Sequence, residues 1–247
     1  MRVTVVTAVR NAREDLIRTR RSVLSQQGVN VQHVVIDGGS TDGTMSLLSD
    51  WAKEKDFTFV SEPDSGVYEA FNKGLRLADG ECVGFLNAGD VYQDSQVLSD
   101  VVATLSETGV DLIFGDIDIT ERDCLDTVTR RYRAHGFVPT HLEQGFMPPH
   151  PSMYVRKTVY DAVGSFSEEF RIAGDFEWAI RAFLKCRLNS RYLDRTFVRM
   201  PAGGLSNNGL SSAFRNTIEM RAALRKHQIP ASWFRLIMRL PLKWLRA

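Results

Sequence analysis

Apolar residues follow two rhythms along the first half of the chain. Short apolar and β-branched runs at 3–6, 31–36, 57–60 and 82–86 read as strands buried on both faces. Between them, 14–26, 44–53 and 67–77 repeat apolar residues at helical spacing, as with Leu16, Ile17, Val23 and Leu24 on one side of the first. Strands alternating with helices predict an α/β fold, a mostly parallel sheet with helices on both faces.

The pattern loosens after residue 91. A helix is expected at 96–105, a strand at 112–114, a candidate strand at 152–155 and a helix at 174–185, while 116–144 is mixed and carries Arg130, Arg131 and Arg133. No internal repeat, low-complexity tract or linker interrupts the 247 residues. One domain over 1–230 is therefore expected, a nucleotide-binding half (1–115) continuous with an acceptor half (116–230). Residues 231–247 alternate Trp, Phe, Leu and Ile with Arg and Lys and hold no acid. They predict a basic amphipathic helix, either lying on an anionic membrane or packed on the domain.

Composition changes this picture little. Hydrophobic residues make up 43% and charged residues 25%, as in soluble globular proteins, and the net charge of +1 gives no field for nucleic acid. Cys82, Cys124 and Cys186 lack metal-ligand spacing, and their odd number suits a reducing compartment. The first residues read directly as a strand rather than a leader, and no run of about 18 apolar residues occurs. The expectation is a cytoplasmic protein, peripheral on the inner face of a membrane through 231–247.

Four segments carry candidate chemistry, three of them just beyond strand ends, where ligands bind in open α/β sheets. Asp37-Gly38-Gly39-Ser40-Thr41-Asp42-Gly43-Thr44 offers a carboxylate for a base or ribose edge and glycines that let backbone approach a ligand; it is also what a turn and helix cap look like. Glu62-Pro63-Asp64-Ser65-Gly66 leads to Asn72 and Lys73, with Asp64 either a cap or a nucleotide contact. Asn87-Ala88-Gly89-Asp90 delivers short polar side chains to the same crevice. Mg2+ or Mn2+ on a diphosphate needs few protein oxygens, a role open to Asp90, although a plain turn reads the same way. In Gly174-Asp175-Phe176-Glu177, Asp175 stands in the first turn of a helix, as a general base for an acceptor hydroxyl or as an ordinary helix N-terminal acid; Glu177 is the second choice. His150, in a stiff proline-flanked loop, is a candidate contact to acceptor or diphosphate, or a structural histidine.

Together these phrases, with Val5-Val6-Thr7-Ala8-Val9-Arg10-Asn11 and Asn72-Lys73-Gly74, resemble in order and spacing the family 2 glycosyltransferases over about residues 1–210. The resemblance is nearest to small bacterial enzymes of surface-polysaccharide assembly, such as the colanic acid glycosyltransferases. It implies a GT-A type fold and an enzyme using a nucleotide sugar. Thr7 and Val9 border the nucleotide, Asp37 reads the base, Asp64 lies against it, and Asp90 holds a divalent ion, Mn2+ or Mg2+. Asp175 is the catalytic base, and Gly203-Gly204-Leu205-Ser206 resembles a late loop that closes near the diphosphate, bringing Gly204 and Ser206 to it.

Two positions depart from the family pattern. Asn-Ala-Gly-Asp keeps one carboxylate where many relatives have Asp-x-Asp-Asp, and Phe71 stands where many place an arginine. One base and no protein nucleophile imply a single inverting displacement, from a uridine-linked donor, with guanosine the other choice, to a glycan or lipid-linked acceptor. The thinned motif keeps open the alternative of a catalytically inactive sugar-nucleotide binder or scaffold of an assembly complex. A nucleotidyltransferase is disfavoured because no glycine-rich loop follows the first strand, and a dinucleotide oxidoreductase because no GxGxxG does.

Overall fold

The computed structural model describes residues 1–203 and 209–245. Four parallel strands form its first half: β1 (Arg2–Val9), β2 (Asn30–Asp37), β3 (Phe57–Ser61) and β4 (Cys82–Phe85). The connections are helical: α1 (Arg13–Leu24), α2 (Thr44–Trp51) and α3 (Val67–Leu77). Register sets Val9 level with Asp37, and Asp37 level with Ser61, so three strands end on one rim. Beyond β4 the chain keeps running beside β1, with Leu86 N–H bonded to Val6 O and Ala88 N–H to Ala8 O. That carries Asn87 to the same rim.

The second half extends the sheet. A short β5 (Val91–Tyr92) precedes α4 (Val97–Thr108), then come β6 (Leu112–Thr120), β7 (Val128–Tyr132), β8 (Tyr154–Arg156) and α5 (Lys157–Val163). Helix α6 (Gly174–Ala179) continues as a π-helical stretch (Ile180–Lys185) into β9 (Ser190–Pro201), followed by α7 (Gly209–Lys226) and α8 (Trp233–Leu245). Among the described residues the order is β3-β2-β1-β4-β8-β6-β9-β5, with β7 on β6. Strand β8 is antiparallel to both β4 and β6, which turns β6 parallel to β1 and brings its carboxyl end to the functional rim.

Apolar packing covers both faces. On one, Val6, Ile36, Val83, Phe85 and Phe114 pack with α3, α5 and α6; on the other, Val5, Cys82 and Ile113 pack with α1 and α4, and Val35 packs with Leu16 and Leu48 of α1 and α2. Gly74 lets α3 lie directly on β1, because a Cβ there would overlap the Val6 side chain. The expected mixed region at 116–144 holds β7 and the greater part of β6. Asp116 and Asp118 interrupt its apolar run, yet every residue of β6 is buried.

Candidate active site at the carboxyl rim of the sheet

The base of the rim is a buried polar relay. Arg20 contacts His33 Nδ1 at 3.0 Å, His33 Nε2 meets Thr7 Oγ at 2.9 Å, and Thr7 donates to Leu86 O at 2.7 Å. With Arg20 donating to Nδ1, the ring proton sits on Nε2 and goes to Thr7 Oγ, while Arg20 Nε is buried without a partner. Burial, then the Arg20 charge, holds the His33 pKa well below its ordinary value, which keeps the ring neutral. The Thr7 side chain has no exposed surface and its hydroxyl is used internally, tying β1 to the exit of β4. Val9 is likewise buried, at the very end of β1.

Asp37 ends β2 with its carboxylate accepting from Ser40 N–H and Ser61 Oγ (2.6 Å), and from Ser40 Oγ. Ser40 of its own loop and Ser61 at the end of β3 thus close over the carboxylate, and Asp37 has no exposed surface in this structure. Asp64 leans over Gly38: a Cβ on Gly38 would stand 2.6 Å from Asp64 Oδ2 and 3.4 Å from Arg10 Cδ. Burial, against the attraction of Lys73, raises the Asp64 pKa. Lys73 is itself closed between Glu62 (2.9 Å) and Glu69 (2.8 Å).

After β4 the turn Asn87–Asp90 is fastened to α1. Thr19 Oγ donates to Asp90 O at 2.8 Å and receives Gly89 N–H at 2.9 Å. Asp90 is 5% exposed, and burial, reinforced by the Asp15 charge and opposed by a hydrogen bond from the Asn87 backbone, pushes its pKa up to about 8. Asn87 Oδ1 is buried without a partner. A buried carboxylate that resists ionisation beside an orphaned amide oxygen is a fit for a hard divalent cation, which accepts oxygen donors and takes the rest of its shell from phosphates and water. No cluster of three His, Cys, Asp or Glu stands together among the described residues.

Asp175 arrives from the other half. Its Oδ1 accepts from Phe176 N–H (2.8 Å) and from Tyr68 OH of α3 (3.2 Å). Glu219 of α7 receives the N–H groups of Ile172 (2.8 Å) and Ala173 (3.0 Å), fixing the segment that leads into Asp175. Glu177 is spent elsewhere, bonded to Arg181 (2.9 Å) and His227 (2.7 Å). His150 stacks on Phe85 (centroids 5.2 Å) beside Phe71 (5.4 Å), at the foot of the turn that carries Asn87. Burial lowers its pKa while Asp175 pulls the other way, so the ring is neutral and in the field of the carboxylate. Phe71 is core, packed on Phe85 at 4.5 Å, which is why an arginine has no room there.

Asp37, Asp64 and Asn87–Asp90 thus lie along the ends of β2, β3 and β4, and Tyr68 and His150 join Asp175 to that rim. A hollow lined by Tyr68, Glu168, Arg171, Ile172 and Arg215 connects to Asp175 through Tyr68, which donates to it; Asp175 itself does not line the hollow. Gly204 and Ser206 lie outside the described residues. Tyr68 stands in the segment that follows Asp64, but sequence reasoning gave it no role; Asp15, and Arg122 which meets it at 3.3 Å, were missed, and only a helical register placing Asp15 and Thr19 on one face hints at the first.

Residues 4–162 match the family described as Glycosyl transferase family 2. An uncharacterised glycosyltransferase of Mycobacterium tuberculosis strain H37Rv is 31% identical over 191 residues, 74% of this chain and 70% of that one. A PGL/p-HBAD biosynthesis glycosyltransferase of Mycobacterium bovis BCG is 27% identical over 207 residues, 82% of this chain and 78% of that one. S. aureus TarS 1-349, solved in complex with UDP-GlcNAc, has a TM-score of 0.71 at 18% identity, covering 91% of this chain and 66% of that one. Mannosyltransferase PcManGT from Pyrobaculum calidifontis, solved with GDP-Man and Mn2+, has a TM-score of 0.66 at 18% identity, covering 93% of this chain and 65% of that one. This chain therefore spans just under two thirds of either solved chain. The shared architecture is the GT-A glycosyltransferase fold.

Proposed function

The chain belongs to glycosyl transferase family 2, and from that premise we propose that it transfers a sugar, with inversion, from a UDP-linked donor to a hydroxyl of a glycan or lipid-linked acceptor in surface polysaccharide biosynthesis. One observation carries the reading: Asp175, held by Tyr68, which lines an open hollow, on the rim that also bears Asp37, Asp64 and Asp90. The GT-A fold is shared with TarS, solved with UDP-GlcNAc, and with PcManGT, solved with GDP-Man, so uridine is set against guanosine in the test below.

In this reading Asp37 and Asp64 flank the base, with Val9 beneath it. Asp90 and Asn87 hold a Mn2+ or Mg2+ ion, which supplies charge neutralisation for the diphosphate. Asp175 accepts the proton of an acceptor hydroxyl, whose oxygen attacks the anomeric carbon from the face opposite the leaving diphosphate. Glu177, the neighbouring acid, is turned into its pair with Arg181 and His227, which leaves a single carboxylate and hence one displacement. Neutral His150 offers a ring nitrogen to the acceptor without competing for that proton. A thermal-shift screen with UDP, GDP and their sugars tests the donor site. UDP should raise the melting temperature, and more so with Mn2+; no shift with any nucleotide contradicts the reading.

Helix α8 supports a peripheral membrane role. Leu236 and Arg239 face inward and are buried, while Phe234 (73% exposed), Ile237 (50%) and Met238 (41%) face outward. No helix among the described residues is long and apolar enough to cross a membrane. The outward apolar strip on a helix with basic and no acidic residues suits the surface of an anionic leaflet. Phe234→Glu combined with Ile237→Glu should abolish co-sedimentation with phosphatidylglycerol vesicles; unchanged binding rules this surface out.

A further inference from the structure

A departing diphosphate carries more charge than the Asp90 site balances, and most cations near the rim are already engaged. Lys73 is closed between two glutamates, Arg13 pairs with Glu14, and Arg20 is buried under the rim on Glu54 and His33. Phe71 offers none. Arg10 lies over Gly38, beside Asp64, where the base is expected. Arg122 is different. It stands in the turn after β6, whose end reaches the rim, and its side chain is 60% exposed. Its one contact among the described residues is Asp15 Oδ2 at 3.3 Å, on a carboxylate that Arg18 already holds through the other oxygen.

Asp15 also fixes where Arg122 stands. A Cβ on Gly89 would lie 3.6 Å from the Asp15 carboxyl carbon, and one on Gly203 would lie 3.5 Å from an Arg122 terminal nitrogen. Arg122 therefore sits between the exit of β9 and the Gly89-Asp90 turn. Leaving Asp15 costs little, because Arg18 remains on that carboxylate, and a guanidinium grips two phosphate oxygens at once better than it holds one shared carboxylate oxygen.

We propose that Arg122 is a leaving-group residue for the transfer, parked on Asp15 in the empty site and handed to the diphosphate when donor binds. This rests on the nucleoside-diphosphate donor proposed above. When the anomeric C–O bond breaks, the electron pair stays on the β-phosphate oxygen while the acceptor oxygen bonds the sugar carbon and its proton passes to Asp175. Arg122 donates to the phosphate that gains the charge, and is not itself deprotonated.

Calorimetric titration of wild type, Arg122→Ala and Arg122→Lys with UDP and with UMP, both in Mn2+, tests it. Arg122→Ala should weaken UDP by about ten- to a hundredfold and UMP by less than about threefold, at an unchanged melting temperature. Arg122→Lys should recover part of the loss, since it keeps charge but not the fork. Asp15→Asn, which frees Arg122, should hold or raise UDP affinity. Equal UDP affinity in Arg122→Ala and wild type overturns the inference, as does an equal loss for UDP and UMP. Wild type that binds no nucleoside diphosphate, GDP included, sinks the donor reading first and this inference with it.

Discussion

The Tyr68 hydroxyl lies 2.5 Å from Ile172 O and 3.2 Å from Asp175 Oδ1, so one proton on α3 serves both the loop before Asp175 and the carboxylate itself. Burial, then the Asp175 charge, keeps the Tyr68 pKa well above its ordinary value, so it remains a donor throughout the working pH range. A hydrogen bond to a charged group contributes about 1.5–3 kcal/mol, but here the shorter bond goes to the carbonyl, so the lower end applies. Tyr68→Phe should cut kcat about tenfold and leave the donor KM within about twofold, as measured by steady-state transfer. An unchanged kcat removes Tyr68 from the positioning of Asp175.

Asp90 ties cation binding to pH. Its carboxyl is pushed up to about 8, so a cation must displace a proton at neutral pH. Affinity for Mn2+ in the presence of UDP should rise about tenfold per pH unit from 6 to 7 and flatten above about 8. The same shift opposes folding. A carboxyl that ionises near 3.8 in the unfolded chain and near 8 in the folded one binds its proton more tightly when folded, so stability is lost as pH rises from about 4 to about 8. Asp90→Asn should therefore melt higher than wild type at pH 8, show no gain at pH 4, and lose Mn2+-dependent UDP binding. Equal melting at pH 8 contradicts the burial argument.

Glu177 and Asp175 stand two residues apart with opposite fates. Burial works against the Glu177 charge, but hydrogen bonds from Arg181 and His227 hold its pKa below the usual value. Glu177→Ala leaves Arg181 without its carboxylate in a buried setting and should cost about 2–4 kcal/mol by chemical denaturation. Its kcat per folded molecule should stay within a few-fold. A large kcat loss at full stability reverses the roles assigned to the two acids.

Gly38 is crowded. A Cβ there meets the half-buried Asp64 carboxylate and the exposed Arg10 side chain, both of which end in flexible atoms. Gly38→Ala should therefore weaken UDP binding about fivefold or more while changing stability by under about 1 kcal/mol. Gly84→Ala offers the contrast. Its Cβ would overlap the buried Tyr154 ring, and a loss of about 1–3 kcal/mol is expected, read as a lower denaturation midpoint. Unchanged UDP affinity in Gly38→Ala frees Asp64 from the site.

The first half of the fold was legible because its strands are short apolar runs and its helices amphipathic, so local pattern and tertiary role agree. The second half was legible only in part: the expected elements at 96–105, 112–114, 152–155 and 174–185 match α4, the start of β6, β8 and α6 with its continuation, while β5, β7, β9 and the rest of β6 were not foreseen. Strand β9 alternates charged residues such as Arg191, Asp194 and Arg195 with apolar ones, and its partner strand comes from 70 or more residues earlier, a pairing no local window shows. In β6 the aspartates break the apolar run, yet Asp116 is satisfied by Ala134 N–H and Tyr192 OH from distant segments. Asp37, Asp64 and Asn87–Asp90 could be read as rim residues because each follows its strand directly. The bond between Thr7 and His33 was not legible, because alternation along β1 sets its inward direction only once the register with β2 is known. The role of Tyr68, and Asp15 altogether, were missed for the same physical reason: each acts on a residue far along the chain.

Asp175→Asn tests the whole account most directly. The amide keeps the size and the contacts to Phe176 N–H and Tyr68 but cannot take a proton. UDP affinity with Mn2+ should match wild type within about twofold while sugar transfer falls by about a hundredfold or more. Transfer at the wild-type rate by a folded, UDP-binding Asp175→Asn protein would contradict it.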